Sequence, residues 1–361
     1  MHRRRLLATT GSALALSTAG CLGLFETQSV TTRAPPLVEN RPDAVYVPSH
    51  VEGMEMVGTA TSGRYEFALS YSFPHRFWLV TGDRVRQVDI EDDQTVHLML
   101  TAWDSETRTV IPSSSAAVTV TNEGDTVVSN KQLWSMLSQN MGVHFGDNVA
   151  LDGDGTYEVR VNFGPVETRR AGALAGELAD RAEISFSIDF AQSTLDAVSY
   201  ERLEDEQGTR DAKPPMGMLG EMLPNGQVPP ADQLPGTVRG TARSDAGTGD
   251  AAFVVTTLPE PPAGVDGDGT YLAVSARTPY NRYPLPFMSL SATLSRGGET
   301  VTGGDLTATL HPELGYHYGT VVERVEGGDT LDIAIDAPPQ VARHEGYETA
   351  FTTTGTVSMT L

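Results

Sequence analysis

An all-β fold, two tandem antiparallel β-sandwiches, is what this sequence predicts, and three observations predict it. Apolar and polar residues alternate over strand-length runs: Tyr65 to Tyr71, Val96 to Ala102, Ala116 to Val120, Tyr157 to Phe163 and Ile184 to Phe190. A period of two sends successive side chains to opposite faces of a strand. Gly, Asp and Asn punctuate these runs, which is the turn chemistry of short antiparallel connections. The third observation is a duplication. Gly142-Val143-His144-Phe145-Gly146 returns as Gly315-Tyr316-His317-Tyr318-Gly319, and strand-like runs follow both, Thr156 to Phe163 and Thr330 to Ile335.

The two halves align in order. Gly58-Thr59-Ala60 pairs with Gly240-Thr241-Ala242, and Thr95 to Pro112 lies on Gly269 to Pro286 without a gap. Within that block Leu98 meets Leu272, Ala102 meets Ala276 and Arg108 meets Arg282. Pro165 and Pro338 follow the two histidine turns at equal distance, and the final strands, Ser185 to Ile188 and Thr356 to Met359, also correspond. A single match could be coincidence between sandwiches. The ordered set reads as two copies of one module.

Taken in order, residues 1–20 are set aside as an export signal. Arg3-Arg4-Arg5-Leu6-Leu7 reads as a twin-arginine start, and the apolar stretch from Leu6 to Ala19 is too short to span a bilayer well. It ends at Thr18-Ala19-Gly20-Cys21, similar to a lipobox, with Thr18 where Leu is more usual. Cys21 is then the expected lipidation site. As the sole cysteine it leaves no intrachain disulfide, so stability must come from packing. Residues 21–44 read as a tether, 45–190 as the first sandwich, 191–236 as a Pro-rich linker and 237–361 as the second sandwich. Arg170 to Ala182, rich in Ala, Leu and Glu, predicts a helical insertion.

The formal charge is -22, and Lys131 and Lys213 are the two lysines among 25 basic residues. An acidic, lysine-poor surface suits a protein working in very high salt, that of a halophile. It argues against nucleic acid as a partner, because phosphates need compensating Lys and Arg.

The first copy gathers soft and borderline metal donors. On a strand, Leu98, Leu100 and Ala102 would face the core and leave His97, Met99 and Trp103 on the opposite face. Met136, Met141 and His144 cluster around the repeated turn, and His75 adds a third imidazole. Imidazole nitrogen and thioether sulfur without thiolate suit copper in either oxidation state, and imidazole alone also holds iron or zinc. Each residue has a plainer reading, a hydrogen-bonded histidine or a core methionine. In the second copy Tyr271 replaces His97, so that half keeps His317 but loses a donor, with His311, His344 and Met288 remaining. The run Met216 to Met222 reads as a hydrophobic clasp rather than a metal trap.

Enzyme signatures are missing from the sequence. It has no Gly-x-Ser-x-Gly elbow, phosphate loop or His-Glu-x-x-His helix, and no cysteine beyond Cys21 to act as nucleophile. The expectation is a binding protein.

His97-Leu98, Met136, Gly142 to Asn148 and Gly155-Thr156-Tyr157 together resemble the periplasmic iron-transport lipoprotein family, over roughly residues 55 to 190. These are immunoglobulin-like sandwiches that bind copper or iron and work beside high-affinity iron permeases. The resemblance implies two tandem immunoglobulin-like antiparallel β-sandwiches here, a copper or iron ion as cargo, and His97, Met136 and His144 as ligands. Two departures matter. The family's Glu after His-Leu is Met99, which removes a hard oxygen donor. A further histidine that the family places after the turn has no counterpart between Arg169 and Phe190. Either His75 takes its place, or a residue reaches across from the second copy as a partner subunit would in a homodimer. The expected function is a lipid-anchored metal carrier at the outer face of the cell membrane, serving a membrane iron permease. The alternative is a surface structural or adhesion protein without metal.

Overall fold

The computed structural model describes residues 36–217, 226–243 and 250–361. The expected signal segment and Cys21 lie outside the described residues, as do Met218 and Met222 of the methionine run. The alternating runs of the first half are strands β1 (His50–Glu52), β2 (Glu55–Ser62), β3 (Tyr65–Ser72), β4 (Phe77–Thr81), β5 (Arg84–Val88), β6 (Val96–Asp104), β7 (Ala116–Asn122), β8 (Asp125–Ser138), β9 (Gly142–Val149), β10 (Gly155–Phe163), β11 (Arg169–Arg170) and β12 (Ala182–Phe190). A short helix α1 (Gln192–Asp196) and β13 (Tyr200–Arg202) follow, and β13 pairs with β1. The second half holds β14 (Thr237–Arg243), β15 (Ala252–Leu258), β16 (Thr270–Arg277), β17 (Ser289–Arg296), β18 (Glu299–Asp305), β19 (Thr307–His311), β20 (Gly315–Val322), β21 (Thr330–Ala337), β22 (Ala342–Arg343) and β23 (Gly355–Thr360).

In the first sandwich one layer runs β12-β10-β7-β8 and the other β8-β9-β6-β3-β2. Strand β8 serves both. Its first part pairs with β7 as far as Leu133, and from Trp134 it pairs with β9. Register shifts against β7, with Asn130 at φ +42°, mark the bend before the chain changes layer. The second sandwich sets β19-β20-β16-β15-β14 against β18-β17-β21-β23. Inward residues such as Phe67, Leu98, Val118 and Val159 in the first half, and Leu272, Leu294, Tyr318 and Ile333 in the second, join one apolar cluster. Burying each Leu or Phe stabilises by roughly 1.5–3 kcal/mol, which is how a fold without disulfides is held.

The two sandwiches exchange short strands. β11, from the segment between β10 and β12, adds in parallel to β19 of the second sandwich, Arg169 opposite Thr309 and Arg170 opposite Leu310. β22, from the segment between β21 and β23, adds in parallel to the end of β8, Ala342 opposite Met136 and Arg343 opposite Leu137. A constant offset of 173 relates Met136 to Thr309, His144 to His317 and β11 to β22, so the exchange is reciprocal. Fully buried Arg343 anchors the incoming segment. It donates to the carbonyls of Pro339 (3.2 Å), Phe351 (3.3 Å) and Ala350 and lies 5.7 Å from the Phe351 ring. Burial lowers its pKa to about 9.

Two local expectations change. Arg170 to Ala182 is no helix but a single 3-10 turn, Gly172–Leu174. Its start is drawn into the neighbouring sheet as β11, Gly172 and Gly176 take positive φ, and Leu174 and Leu178 are spent in the core. Tertiary pairing overrides helix propensity here. The repeated Gly-x-His-aromatic-Gly motif lies on strands β9 and β20 rather than on turns, with Gly142 and Gly315 opening each strand at φ +69°.

Candidate metal centre

Alternation along β6 carries Leu98, Leu100 and Ala102 into the main core and turns His97 to the opposite face of the sheet. His97 is wholly buried, and its Nδ1 lies 2.8 Å from Asn148 Oδ1. Asn148 Nδ2 donates to the His75 carbonyl at 2.8 Å, which fixes Oδ1 as the acceptor end of the amide. His97 Nδ1 therefore carries the proton, and Nε2 presents a lone pair. His144, one strand over on β9, repeats the device: its Nδ1 donates to the Gly142 carbonyl at 3.1 Å, freeing Nε2.

The third imidazole arrives from the other sandwich. His344 directly follows β22, and its backbone N–H donates to the Leu137 carbonyl at 3.0 Å. Its ring centre stands 5.3 Å from those of both His97 and His144, which are 6.4 Å apart. Nε2 of His97, His144 and His344 are all buried, and among the described residues none has a hydrogen-bond partner. Leaving a buried polar atom unsatisfied costs about 1–3 kcal/mol each, so three converging on one point call for a ligand. Ligand atoms of the three lie within 4.8 Å of one another. A tetrahedral ion with bonds of about 2.0 Å needs them roughly 3.3 Å apart, a small contraction.

Met136 lies opposite His144 on β8 and is fully buried. Gly146 shows where its sulfur points. A Cβ on Gly146 would lie 2.9 Å from His97 Nε2 and 3.2 Å from Met136 Sδ, so the missing side chain leaves the cradle open. Three neutral imidazoles and a thioether carry no formal charge, a donor set for a soft or borderline ion. Burial holds the His97 pKa down to about 3 and that of His144 to about 4, and drives His344 well below its ordinary value. All three stay unprotonated and able to ligate near neutral pH.

The other residues expected at a metal site are placed differently. His75 sets its ring against His97, 4.6 Å centre to centre, but directs Nδ1 toward Glu52 at 3.6 Å and Nε2 toward Ser72 Oγ at 3.0 Å. Met99 and Met141 join an apolar cluster with Ala68, Trp103 and Val110, against which Met54, Met56 and Met216 pack. Met216 closes on that cluster as a clasp, its N–H donating to the Asn140 carbonyl. The sequence groups His344 with the second copy, whereas the structure brings it to the first. The absence of a histidine between Arg169 and Phe190 was the signal that one must come from elsewhere.

The corresponding pocket of the second sandwich is filled. Tyr271 stands in place of His97 and donates its hydroxyl to His317 Nε2 at 2.9 Å, since His317 Nδ1 donates to the Gly315 carbonyl. Thr309 takes the place of Met136, and Ala171 that of His344. Arg169, carried in on β11, donates to Thr309 Oγ1 (2.9 Å), the Tyr271 hydroxyl (3.1 Å) and the Gly319 carbonyl (3.1 Å). A guanidinium occupies the space a metal would need.

Two protein-family models match the chain. Residues 85–179 match the Fe2+ transport protein family, and residues 232–360 match a domain of unknown function, DUF7350. The first of these matches places the similarity to an iron-transport family within the first sandwich. Among solved structures the chain is similar to FetP of uropathogenic Escherichia coli strain F11, with 17% identity over 39% of this chain and 96% of FetP at a TM-score of 0.28. A copper-bound FetP variant gives 18% identity over 38% and 97%, TM-score 0.29. A copper-bound variant of Campylobacter jejuni P19 gives 16% over 39% and 97%, TM-score 0.28. No curated protein matches.

Proposed function

We propose that this protein is an extracytoplasmic carrier that holds a copper or iron ion on His97, His144, His344 and Met136 and serves iron uptake through a membrane permease. One observation carries the reading: three imidazoles from two sandwiches, each with a buried Nε2 that has no hydrogen-bond partner among the described residues, bring ligand atoms within 4.8 Å of one another beside a glycine that keeps the space open. The family match over residues 85–179 supports the iron-uptake setting. The uncharged donor set favours Cu(I) over a harder ion and suits binding and release rather than catalysis. The second copy supplies from within the chain the histidine that a partner subunit of a homodimer would otherwise give. In this reading Cys21 is lipidated and residues 21–44 tether the body to the outer face of the membrane.

Metal analysis of protein purified without a histidine tag, followed by copper and iron titration, tests the site. One tight equivalent is expected at the trihistidine pocket, lost in His144→Ala; equal affinity for that equivalent in the variant would remove the site. Cys21→Ser should move the protein from the membrane to the soluble fraction.

A further inference from the structure

A second group of donors stands beside the trihistidine pocket, outside the family-matched residues. His50 and Glu52 lie two apart on β1, so both side chains leave the strand on one face. His75 approaches them from the connection between β3 and β4. Ligand atoms of the three come within 4.8 Å of one another. They line a solvent cleft whose wall also includes His344, Met99 and Met141. The two imidazoles here are partly exposed, whereas His97 and His144 are sealed behind them.

The hydrogen bonds around His50 show what its ring offers. The Ser49 hydroxyl has one proton and donates it to Glu345 Oε2 at 2.9 Å. His50 Nδ1, 3.0 Å from Ser49 Oγ, must then donate to that hydroxyl oxygen. That leaves His50 Nε2 as a lone pair 2.9 Å from Glu52 Oε1. Two lone pairs cannot face each other at that distance unless a proton or a bound cation lies between or beside them. Stacking on Tyr200, with ring centres 5.2 Å apart, holds the His50 ring in this orientation. The charged side chains lining the cleft, among the described residues, are Glu52, Glu345 and Arg76, a net negative wall when the imidazoles are neutral.

We infer that His50 Nε2, the Glu52 carboxylate and His75 Nδ1 form a second cation position that takes a divalent first-row metal ion. Two imidazoles and a carboxylate are a harder, negatively charged set, so this position prefers M2+ while the neutral trihistidine–thioether pocket prefers a softer ion. His75 links the two: its ring touches those of His97 and His344, at 4.6 and 5.2 Å. An ion arriving from solvent meets the carboxylate position first. The position stands on its own donors, and it rests on the proposed carrier function only for its role as the entry to the inner pocket.

The test is titration of the tag-free full chain with Cu2+, followed by calorimetry and electron paramagnetic resonance, beside a Cu(I) competition assay for the inner pocket. Wild type should take two Cu2+ equivalents. Glu52→Gln and, separately, the partly exposed His50→Gln should each weaken one equivalent by about tenfold or more while leaving Cu(I) affinity within about twofold. His144→Ala should do the reverse. A wild type that takes a single Cu2+ equivalent, lost in His144→Ala and kept in Glu52→Gln, would show that a proton alone joins His50 to Glu52, and the inference falls. It falls equally if both variants, folded by circular dichroism, still take two. If Glu52→Gln loses an equivalent while His144→Ala changes nothing, the outer position stands and the trihistidine reading fails.

Discussion

The two pockets are the same piece of architecture finished in opposite ways. Each lies where an exchanged strand meets the sheet that carries a Gly-x-His-aromatic-Gly strand, and each histidine is oriented by its Nδ1 donating to the carbonyl of that first glycine. In one the exchanged strand brings Ala342 and then His344, and in the other Arg169 and then Ala171. A small residue followed by an imidazole leaves three lone pairs facing a space. A guanidinium followed by a methyl fills that space with fixed positive charge and uses up the hydroxyl, the carbonyl and the phenol that line it. Duplication therefore conserves the scaffold and leaves the chemistry to four side chains. One pocket is kept open at a cost in unsatisfied nitrogens, and the other trades function for hydrogen bonds.

The sharpest way to break the comparison is His344→Ala, which gives the first pocket the alanine of the second. Losing a ligand should weaken metal affinity by roughly 100-fold or more, about 2.7 kcal/mol, as a competition assay would read it. Because β22 and the Arg343 anchor remain, the fold should survive. An unchanged affinity would mean that the exchanged strand brings structure only.

Matched substitutions at the two central glycines come next. Gly146→Ala would place a methyl 2.9 Å from His97 Nε2 and 3.2 Å from Met136 Sδ, inside the proposed coordination space. Metal affinity should fall about tenfold, near 1.4 kcal/mol, with a smaller loss of stability. Gly319→Ala meets the Tyr271 hydroxyl instead. It should destabilise by about 1–3 kcal/mol through overpacking and leave metal affinity alone. Denaturation and competition assays on the pair separate an open pocket from a filled one.

Arg169→Ala asks whether the guanidinium is a plug or an ornament. Removing hydrogen bonds to Thr309, Tyr271 and the Gly319 carbonyl should cost about 1–2 kcal/mol in a urea titration. No metal equivalent should appear, because Tyr271, Thr309 and Ala171 still lack donors. This pocket also marks how far the sequence reaches. Alternation and the repeated motif made two sandwiches legible, and the strand period put His97 apart from the core residues Leu98 and Leu100. Two adjacent gaps in the expected donor set, Met99 for a carboxylate and no histidine after Arg169, were legible as gaps. That His344 fills the second gap was not, because β22, like β11, is a two-residue strand with no periodic signal, placed by pairing across the whole chain. For the same reason Arg170 to Ala182 carried helical composition into a segment whose first residues belong to another sheet.

Acid should distinguish the pockets by number of imidazoles. Burial holds His97 and His144 at about 3 and 4, and His317 at about 3, against an ordinary value near 6.5. His75 and His344, beside the first pocket, are also pushed well down. Between the folded values and 6.5 the unfolded chain binds protons that the folded chain refuses, so stability rises with pH across that window and is lost as pH falls through it. Each such imidazole should cost about 0.7 kcal/mol of apo-protein stability between pH 7 and pH 6. The first pocket, with His75, holds four of them and the second holds His317. Replacing His97 and His144 together by Gln should therefore flatten the fall in unfolding free energy over that interval about twice as much as His317→Gln does. An equal flattening would mean that the imidazoles of the first pocket share protons in the apo state, and that its lone pairs are less free than the geometry of Asn148 and Gly142 requires.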